Sequence, residues 1–432
     1  MAIIGTVPRR CVNLPPGSLG TLINCILSKN VDEGPELEQF RNDFAQWLGV
    51  PYVFGALMGR SVFQLALEAL QLEKGSEIIF PMFTFPVMPM VAKIMGFKPV
   101  FCEVNPDTFN ADPGHIEPMI NEKTGAVLAT HLFGRPCPIV EIKELAKSKG
   151  VRLMEDCAHA LGVKVNGQQV GTFGDIGIFS FAEGKNMSCL GGGAIATADE
   201  EIAKRAEAIH AKTPVPDAKA VRKKAINIWI KWLLTRPFIF GISAYQVLKL
   251  KLMMGKPLMD SAVGNELLEN FINSNPGISK LANLQAAIGI KHLKYIDAFN
   301  EGARRNAQIL TEHLGDIPGV KAPCAKEENH IYVYYPLTVD PDKRDDLRHY
   351  LLRQGVDTKR TDMSDCSLLT PFVDPQNPQT PRKGASEAAV LEICVYPVIP
   401  EKEMRRIARI IRSWAGLPPV QGLNNQHYSR GF

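Results

Sequence analysis

The chain has 432 residues, of which 45% are hydrophobic and 22% are charged, an ordinary globular composition that is long enough for two domains. Its net charge of +4 is too small to favour nucleic acid as a partner, and we predict none. The nine cysteines form no CxxC pair and have no regular spacing, so we predict no metal site, no disulfide framework and reduced thiols in a cytoplasmic protein.

Strand-like and helix-like segments alternate from about residue 50 to 200. The N-terminus before them lacks the basic start and apolar run of an export signal, and no run of about eighteen uncharged apolar residues predicts a membrane span. The segments are the helical "SVFQLALEAL", the strand "SEIIFP", the helical "FPVMPMVAKIMG", the strands "KPVFCEV" and "AVLATHLFG", the helical "VEIKELAKSKG" and the strand "VRLMED". This alternation predicts right-handed crossovers and a mostly parallel sheet, with its site at the carboxyl ends of the strands.

The second half of the chain has a different organisation. A long helix that starts near "LANLQAAIGIKHLKYI" leads into the strand "HIYVYYPLTV", the helical "KRDDLRHYLLRQG", the strand "LEICVYPV" and the helical "EKEMRRIARIIRSW". We predict a smaller α+β domain here. The predicted units are a large domain with the N-terminal segment over 1–212, a helical insertion over 213–276, a small domain with its linking helix over 277–415, and a tail over 416–432.

The stretch "GALMGRSVFQLALEAL" has Gly59 and then Ser61 before an apolar helix. Ser61 has the position of an N-cap, and the free amides at a helix N-terminus form an anion site that suits phosphate. Gly59 can take backbone conformations that other residues cannot. The alternative is an ordinary capped helix, and this stretch alone favours that alternative.

The stretch "LMEDCAHALG" places Asp156 at the end of an apolar strand and His159 three residues later. An unpaired buried carboxylate is very costly, so Asp156 needs a cation or hydrogen-bond donors. The protonated ring nitrogen of a bound cofactor would be such a partner. A structural salt bridge or a cap for the next turn would explain the residue equally well.

Two further stretches hold candidate site residues. In "PMFTFPV", Phe83 or Phe85 could stack on a heteroaromatic ring, although aromatic residues near strand ends are more often part of the core. In "FSFAEGKNMSCLGGGA", Ser180 can donate to a phosphate, and Lys185 can form a Schiff base if it is desolvated and neutral. The glycines 191–193 would let the backbone pass close to a bound molecule. The alternative is a surface turn with a solvated lysine.

Together these candidates supply what pyridoxal 5′-phosphate (PLP) requires of a protein, namely a phosphate site, a pyridinium partner, a stacking ring and an amine. From about residue 35 to 414 the sequence resembles the DegT/DnrJ/EryC1/StrS family of PLP-dependent sugar aminotransferases. The resemblance is carried by "PELEQFRNDFAQWLGVPYV", "GRSVFQLALEAL", "FPMFTF", "GFKPVFCEVNPDTFNADP", "THLFGRP", "MEDCAHALG", "GTFGDIGIFSF", "LQAAIGIKHL" and "YPVIPEKEMRRIARIIR". It implies the α/β fold-type I architecture, with a mostly parallel seven-stranded sheet, and PLP as cofactor.

The resemblance also implies residue roles. Lys185 would hold PLP and later relay the proton between cofactor and substrate carbon, and Asp156 would pair with the pyridine nitrogen. His159 would stand near the ring hydroxyl, and Phe85 would stack on the ring. The phosphate would be bound by Ser180 and by the start of the helix "GRSVFQLALEAL", at Gly59, Arg60 and Ser61.

Family members usually pass an amino group from glutamate to a keto group of a nucleotide-linked sugar, as homodimers with active sites at the subunit interface, and we predict the same here. Two departures stand out. Gly191 of "LGGG" replaces an acid in the family's "GEGG", and Ile278 and Lys280 align with an Asn and an Arg that reach the neighbouring subunit. They leave two alternatives, a PLP enzyme with a lipid-linked or other non-nucleotide acceptor, and a PLP-binding regulatory or membrane-associated protein without turnover.

The stretch from Asp217 to Asp260 interrupts the resemblance and contains nine Lys and Arg against two Asp. Pro237 would bend or end a helix there. One predicted helical face is apolar and the other is polar, the apolar face with Ile226, Trp229, Ile230 and Leu233 and the polar face with Lys224, Lys231 and Thr235. This is typical of a helical hairpin in a membrane surface, so 220–256 is a candidate for peripheral contact with the inner membrane. The alternative is a helical pair packed on the domain or at the dimer interface.

Overall fold

The computed structural model of the chain describes residues 5–258, 264–272, 277–323, 329–373 and 387–418. The tail that the sequence predicts to be loop-like lies outside these residues from position 419 onward, as does Cys324. The eight described cysteines are buried free thiols. No helix in the described ranges is both long enough and apolar enough to cross a bilayer.

The chain through residue 212 alternates strands with helices, as predicted. Its helices are α1 (Ser18–Leu27), α2 (Glu36–Leu48), α3 (Gly59–Leu70), α4 (Val87–Ile94), α5 (Pro113–Ile116), α6 (Ile139–Lys149) and α7 (Glu200–Lys212). Its strands are β1 (Tyr52–Ala56), β2 (Glu77–Pro81), β3 (Phe83–Thr84), β4 (Lys98–Cys102), β5 (Thr124–Thr130), β6 (Arg152–Asp156), β7 (Lys164–Val165), β8 (Gln168–Gln169), β9 (Ile176–Ser180) and β10 (Gly193–Thr197).

Seven of these strands form the central sheet, in the order β1-β10-β9-β6-β5-β2-β4. Only β10 runs against the others, so the predicted mostly parallel seven-stranded sheet is confirmed. The strands are apolar because helices cover both faces, which buries side chains of either orientation. Their carboxyl ends meet at one edge, where β5 ends at Thr130, β6 at Asp156 and β9 at Ser180.

The segment that interrupts the alternation is helical. It contains α8 (Ala218–Leu234), α9 (Pro237–Ile242), α10 (Ala244–Met253) and α11 (Gly264–Ile272). Asp217 caps α8 by accepting hydrogen bonds from the backbone N–H groups of Lys219 and Ala220. Pro237 begins α9 after α8 has ended, as the sequence predicts. The hairpin is attached to the second domain by Tyr245, whose hydroxyl donates to the Leu352 carbonyl at 3.1 Å.

The second domain is an antiparallel sheet packed on helices. Its helices are α12 (Asn283–Leu293), α13 (Ile296–Leu314), α14 (Pro341–Arg353) and α15 (Glu401–Trp414), and its strands are β11 (Val320–Lys321), β12 (Tyr335–Val339), β13 (Lys359–Arg360), β14 (Ser364–Asp365) and β15 (Val390–Ile393). Four strands pair in the order β11-β12-β15-β13. The single long linking helix that the sequence predicts is two helices, because Tyr295 leaves the helical region at φ −123° and ψ −6°.

Two contacts bring the second domain to the edge of the central sheet. Strand β14 pairs with β3 of the first domain. The N-terminal segment, which the sequence analysis groups with the large domain, packs on the second domain, since Val7 and Cys11 belong to its core. The backbone N–H of Val7 donates to Gly355 and its carbonyl accepts from Asp357. These contacts place residues from both ends of the chain beside the strand ends.

Candidate active site

A cavity of about 530 Å³ opens at the carboxyl ends of β5, β6 and β9. Its wall includes seven of the eight site residues that the sequence predicts: Gly59, Arg60, Phe85, Asp156, His159, Ser180 and Lys185. The eighth, Ser61, is buried beside a smaller neighbouring pocket that Arg60 also lines. Residues spread over more than 120 positions of sequence therefore meet at one site, as a doubly wound sheet allows.

Lys185 lies in a fixed turn against this cavity, so the alternative of a solvated surface turn is wrong. Its backbone N–H donates to the Ala182 carbonyl at 3.0 Å. The hydroxyls of Tyr334 and Tyr396 both donate to the carbonyl of Gly184 at 2.7 Å. Burial lowers the pKa of Lys185 to about 8, while the negative charge of Asp156 opposes this shift. A fraction of the amine is therefore neutral near neutral pH, as a nucleophile requires.

Asp156 ends β6 with its carboxylate inside the protein. The backbone N–H of Ala158 donates to its Oδ1 at 3.0 Å. Burial raises the pKa of Asp156, whereas this hydrogen bond and the charge of Lys185 act to lower it. One donor does not satisfy a buried carboxylate, so Asp156 retains lone pairs for a cationic ligand in the cavity.

His159 is held as a neutral imidazole. Its Nδ1 accepts a hydrogen bond from the backbone N–H of Phe133 at 3.2 Å, which leaves the proton on Nε2. Burial, with the positive charges of Lys185 and Lys359, lowers the pKa of His159 well below its usual value. The ring of Phe133 stacks on the imidazole at a centroid distance of 6.0 Å. The side chain can therefore donate a hydrogen bond without carrying charge.

The start of α3 differs in detail from the prediction. The helix begins at Gly59 after Met58, and no side chain caps it, so Ser61 is not the N-cap. Gly59 does not have a positive φ, so its special backbone freedom is not used. A Cβ on Gly59 would lie 3.5 Å from Ser180 Oγ, which places this hydroxyl at the uncapped helix end. Free amides and a hydroxyl donor together form a site for an anion.

Three polar atoms of the cavity wall have neither a hydrogen-bond partner nor an ion pair among the described residues. They are buried, and they belong to Arg60 (Nε), Thr84 (Oγ1) and Thr130 (Oγ1). A buried polar atom without a partner is costly, so these atoms indicate that a ligand with polar groups occupies the space. The wall also has an apolar side, to which Phe85 contributes, whereas Phe83 is fully buried against Phe109.

A network of charged residues that was not predicted from the sequence also lines the cavity. Lys359 Nζ lies 2.6 Å from Asp362 Oδ2 and 3.0 Å from Glu392 Oε2. Arg10 Nη2 lies 3.3 Å from the same Asp362 oxygen, and the Lys359 ammonium lies over the Tyr334 ring at 4.7 Å. No local pattern indicates this network, because its members come from the N-terminal segment, the residue before β12, β13, the turn after β13, and β15.

Behind the site, His131, Glu155 and Cys157 lie close enough to suggest a metal centre. Their hydrogen bonds argue against one. Glu155 accepts from His131 Nε2 and from three backbone N–H groups, and His131 Nδ1 accepts from the backbone N–H of Cys137. With these lone pairs engaged, the cluster is a buried polar network that supports the end of β6. His131 stands in the stretch "THLFGRP", and no role was predicted for it from the sequence.

The glycines that follow Lys185 serve a different purpose from the predicted one, because none of them lines the cavity. Gly191 and Gly192 have φ values of +106° and +92°. A Cβ on Gly191 would lie 2.3 Å from Lys224 Nζ, and a Cβ on Gly193 would lie 2.3 Å from the Phe179 carbonyl oxygen. The glycines thus admit neighbouring protein groups, among them a lysine of α8.

The chain matches the model of the DegT/DnrJ/EryC1/StrS aminotransferase family over residues 18–229 and 259–414. It is 27% identical to the UDP-N-acetyl-3-dehydro-alpha-D-glucosamine 3-aminotransferase of Acidithiobacillus ferrooxidans, over 84% of each chain. It is 26% identical to the dTDP-3-amino-3,4,6-trideoxy-alpha-D-glucose transaminase of Streptomyces venezuelae, over 88% of each chain. The crystal structure of DesI in the presence of its TDP-sugar product superposes with a TM-score of 0.71 at 26% identity, covering 95% of this chain and 93% of that one. The chain belongs to the DegT/DnrJ/EryC1/StrS aminotransferase family.

Proposed function

We propose that this PLP-dependent aminotransferase transfers an amino group from an amino acid, glutamate in the first instance, to a keto group of a nucleotide-linked sugar. The observation that carries the proposal is the position of Lys185, whose amine has a lowered pKa and faces a cavity that also contains Asp156. Family membership supports the reaction type. The relatives named above act, by their names, on UDP- and dTDP-linked sugars, which favours this acceptor class over a lipid-linked one.

The cavity wall fits PLP in chemical terms. The uncapped start of α3 and the Ser180 hydroxyl suit its phosphate, and Phe85 offers an aromatic face for its ring. Asp156 has lone pairs for a protonated ring nitrogen. Arg60, Thr84 and Thr130 supply the polar atoms that still need partners. When bound, PLP withdraws electrons from the substrate carbon that bears the amino group.

The residues of the chain then have separate tasks. Lys185 would hold the cofactor and, once released by the amino donor, its neutral amine would accept the proton from the donor's α-carbon and later donate it again. Asp156 would keep the ring nitrogen of the cofactor protonated, because its carboxylate is shielded from water. His159 donates from Nε2 as a neutral imidazole, so it adds no positive charge beside the amine.

The two half-reactions can be followed by absorption. Protein loaded with PLP is mixed with glutamate and should lose its yellow band; dTDP-, UDP- and GDP-linked keto sugars are then added singly, and one class should restore the band. A band that persists with every amino acid would contradict turnover and favour a cofactor-binding protein without catalysis. Recovery of the band only with a keto acceptor that carries no nucleotide would contradict the acceptor class.

We also propose that α8–α10 lie against a membrane surface. Ten large apolar side chains of this segment are exposed to solvent: Ile226, Ile230, Leu233, Leu234, Phe238, Ile242, Val247, Leu250, Met253 and Met254. So many exposed large apolar side chains within one short segment indicate an interaction surface. Three of the four residues of the predicted apolar helical face lie outward, and Trp229 is half-buried. The family match leaves out 230–258, so most of this surface lies outside the matched residues.

The charge of the segment favours anionic lipid over a second copy of the chain. No Asp or Glu occurs between Asp217 and Asp260, whereas nine Lys and Arg do. An isologous contact would bring cations against cations, and an anionic bilayer surface would attract them. Two of these cations are exceptions: Lys224 lies against Gly191, and Lys231 pairs with Glu183 at 2.9 Å and so ties α8 to the turn before Lys185.

The homodimer that the resemblance implies stays a prediction. The face of α1 with Leu19, Ile23 and Leu27 is exposed at helical spacing and is available for such a contact. Light scattering coupled to size-exclusion chromatography would give the mass in solution. A mass near twice 47.6 kDa supports the dimer, and a mass equal to that of one chain contradicts it.

A further inference from the structure

Arg10 lies directly against the residue that precedes Lys185. A Cβ on Gly184 would lie 3.0 Å from Arg10 Nε and 3.2 Å from its Cδ. Arg10 also lines the cavity. In an amino-acid donor, the α-carboxylate is bonded to the carbon whose proton Lys185 relays. A group that binds this carboxylate must therefore lie beside Lys185, which is where Arg10 stands.

The other cations of the cavity wall are already engaged. Lys359 is in contact with Asp362 at 2.6 Å and with Glu392 at 3.0 Å, and its side chain is only 4% exposed. Arg60 stands on the first turn of α3, at the end of the cavity with the phosphate site, and its guanidinium lies over the Phe271 ring at 5.3 Å. Lys359 is thus neutralised by two carboxylates, and Arg60 lies at the other end of the cavity, so neither is available for a carboxylate beside Lys185.

Arg10 retains hydrogen-bonding capacity. Among the described residues, it has a single ion pair, from Nη2 to Asp362 Oδ2 at 3.3 Å. Lys359 donates to that same oxygen at 2.6 Å, so Asp362 is shared and Arg10 holds the longer contact. A guanidinium has five N–H donors in a fork that matches a carboxylate in two parallel hydrogen bonds. Most of these donors have no hydrogen-bond partner in the part of the chain that the structure describes.

We infer that Arg10 binds the α-carboxylate of the amino-acid donor and that Asp362 orients its guanidinium. This assignment rests on the proposed function, because it requires an amino-acid donor. Arg10 precedes residue 18, where the family match begins, so the assignment concerns a residue of this chain that the family model does not include. The backbone pairing of Val7 with Gly355 and Asp357 holds the N-terminal segment in place.

Binding without turnover tests the inference. Wild type, Arg10→Met and Arg10→Lys, each loaded with PLP, are titrated with α-methylglutamate, which lacks the α-proton, and with 4-aminobutyrate, which lacks the α-carboxylate. We expect Arg10→Met to bind α-methylglutamate about 10- to 100-fold more weakly than wild type does, because charge-assisted hydrogen bonds to the α-carboxylate are lost. Its affinity for 4-aminobutyrate should equal that of wild type. Arg10→Lys should lose less of the preference for α-methylglutamate over 4-aminobutyrate, because lysine keeps the positive charge but cannot form two parallel hydrogen bonds with a carboxylate.

Arg9→Lys is the matched control, since Arg9 pairs with Asp357 at 2.6 Å and does not line the cavity. It should bind both ligands as wild type does. Unchanged affinity of Arg10→Met for α-methylglutamate would overturn the inference, as would an equal loss for both ligands in Arg10→Lys. A wild type that binds α-methylglutamate selectively but aminates no keto sugar would refute the proposed acceptor and leave Arg10 assigned; a wild type that does not bind α-methylglutamate would refute the assignment.

Discussion

The carboxyl-end edge of the central sheet and the α8–α10 segment differ in how their charged and apolar side chains are buried and paired. At the sheet edge, charges are buried and paired, as in the contacts of Lys359 with Asp362 and Glu392. In α8–α10, cations outnumber acids, and large apolar side chains such as Phe238 are 65% exposed. The first region presents buried polar atoms that suit a small polar ligand, and the second presents exposed apolar side chains that suit an apolar surface. A missing partner can therefore be recognised from the kind of group that remains unsatisfied.

The N-termini of two helices show the same contrast. Asp217 accepts hydrogen bonds from the first turn of α8, whereas α3 begins at the cavity with no side-chain cap. A helix whose amides are left free at a cavity keeps them for a ligand. The capped helix belongs to the surface segment, and the uncapped helix belongs to the site.

The largest expected effect is that of Lys185→Ala. We predict a loss of transamination of about 10²- to 10⁴-fold, because the variant has no amine to relay the proton. It should still bind PLP through the remaining wall. Single-turnover absorption with glutamate measures the loss, and Lys164→Ala, on the exposed strand β7, is the control. Wild-type rates in Lys185→Ala would show that another base serves the site.

Asp156→Asn comes next and separates charge from shape. The amide is isosteric but cannot hold a protonated ring nitrogen, so we expect a loss of about 10²-fold in the first half-reaction. Because Asp156 opposes the lowering of the Lys185 pKa, its neutralisation should move that pKa further down. A pH titration of PLP capture measures the shift. Movement to higher pH would mean that the two groups do not interact as described.

In the wild type, the rate of covalent PLP capture should rise with pH with a midpoint of about 8, the pKa of Lys185. The rate rises with pH because the neutral amine is the reactive form. About a tenth of the amine is neutral at pH 7, and most of it is neutral above the pKa. Stopped-flow absorption of apoprotein with PLP gives the profile. A midpoint near 10.5, the ordinary lysine value, would contradict burial of the amine.

On the surface segment, the double substitution Phe238→Asp with Leu250→Asp should reduce recovery of the protein with anionic liposomes in flotation. Both side chains are more than half exposed, so folding should be little affected while apolar contact with lipid is lost. Val398→Asp, at an exposed apolar residue of the other domain, is the matched control. Equal recovery of all three proteins in the soluble fraction would refute the membrane surface.

The smallest effects concern the two helix starts. Asp217→Ala removes two hydrogen bonds from the first turn of α8, and we expect a loss of about 1 kcal/mol in the free energy of unfolding. Ser61→Ala removes no cap and should cost clearly less. Urea denaturation compares the two variants. A larger loss of unfolding free energy in Ser61→Ala than in Asp217→Ala would instead support the N-cap role that the sequence predicts for Ser61.

Much of the site was predictable because its residues stand in local patterns. Asp156 ends an apolar strand, and Lys185 follows another strand by five residues, so the doubly wound sheet brings them together. Arg10, Lys359 and Glu392 were not predictable, because each is an ordinary residue of its own segment and they meet only through tertiary contacts. The N-cap assignment of Ser61 failed because α3 begins at Gly59, whereas an N-cap at Ser61 would make Val62 the first helical residue.

The most direct test of the account is to reduce the PLP-loaded protein with borohydride, digest it and locate the pyridoxyl group by mass spectrometry. The account predicts one modified peptide, with the adduct on Lys185, and no adduct in Lys185→Ala. An adduct on Lys359, the other lysine of the cavity wall, or an unmodified wild-type protein, would contradict it.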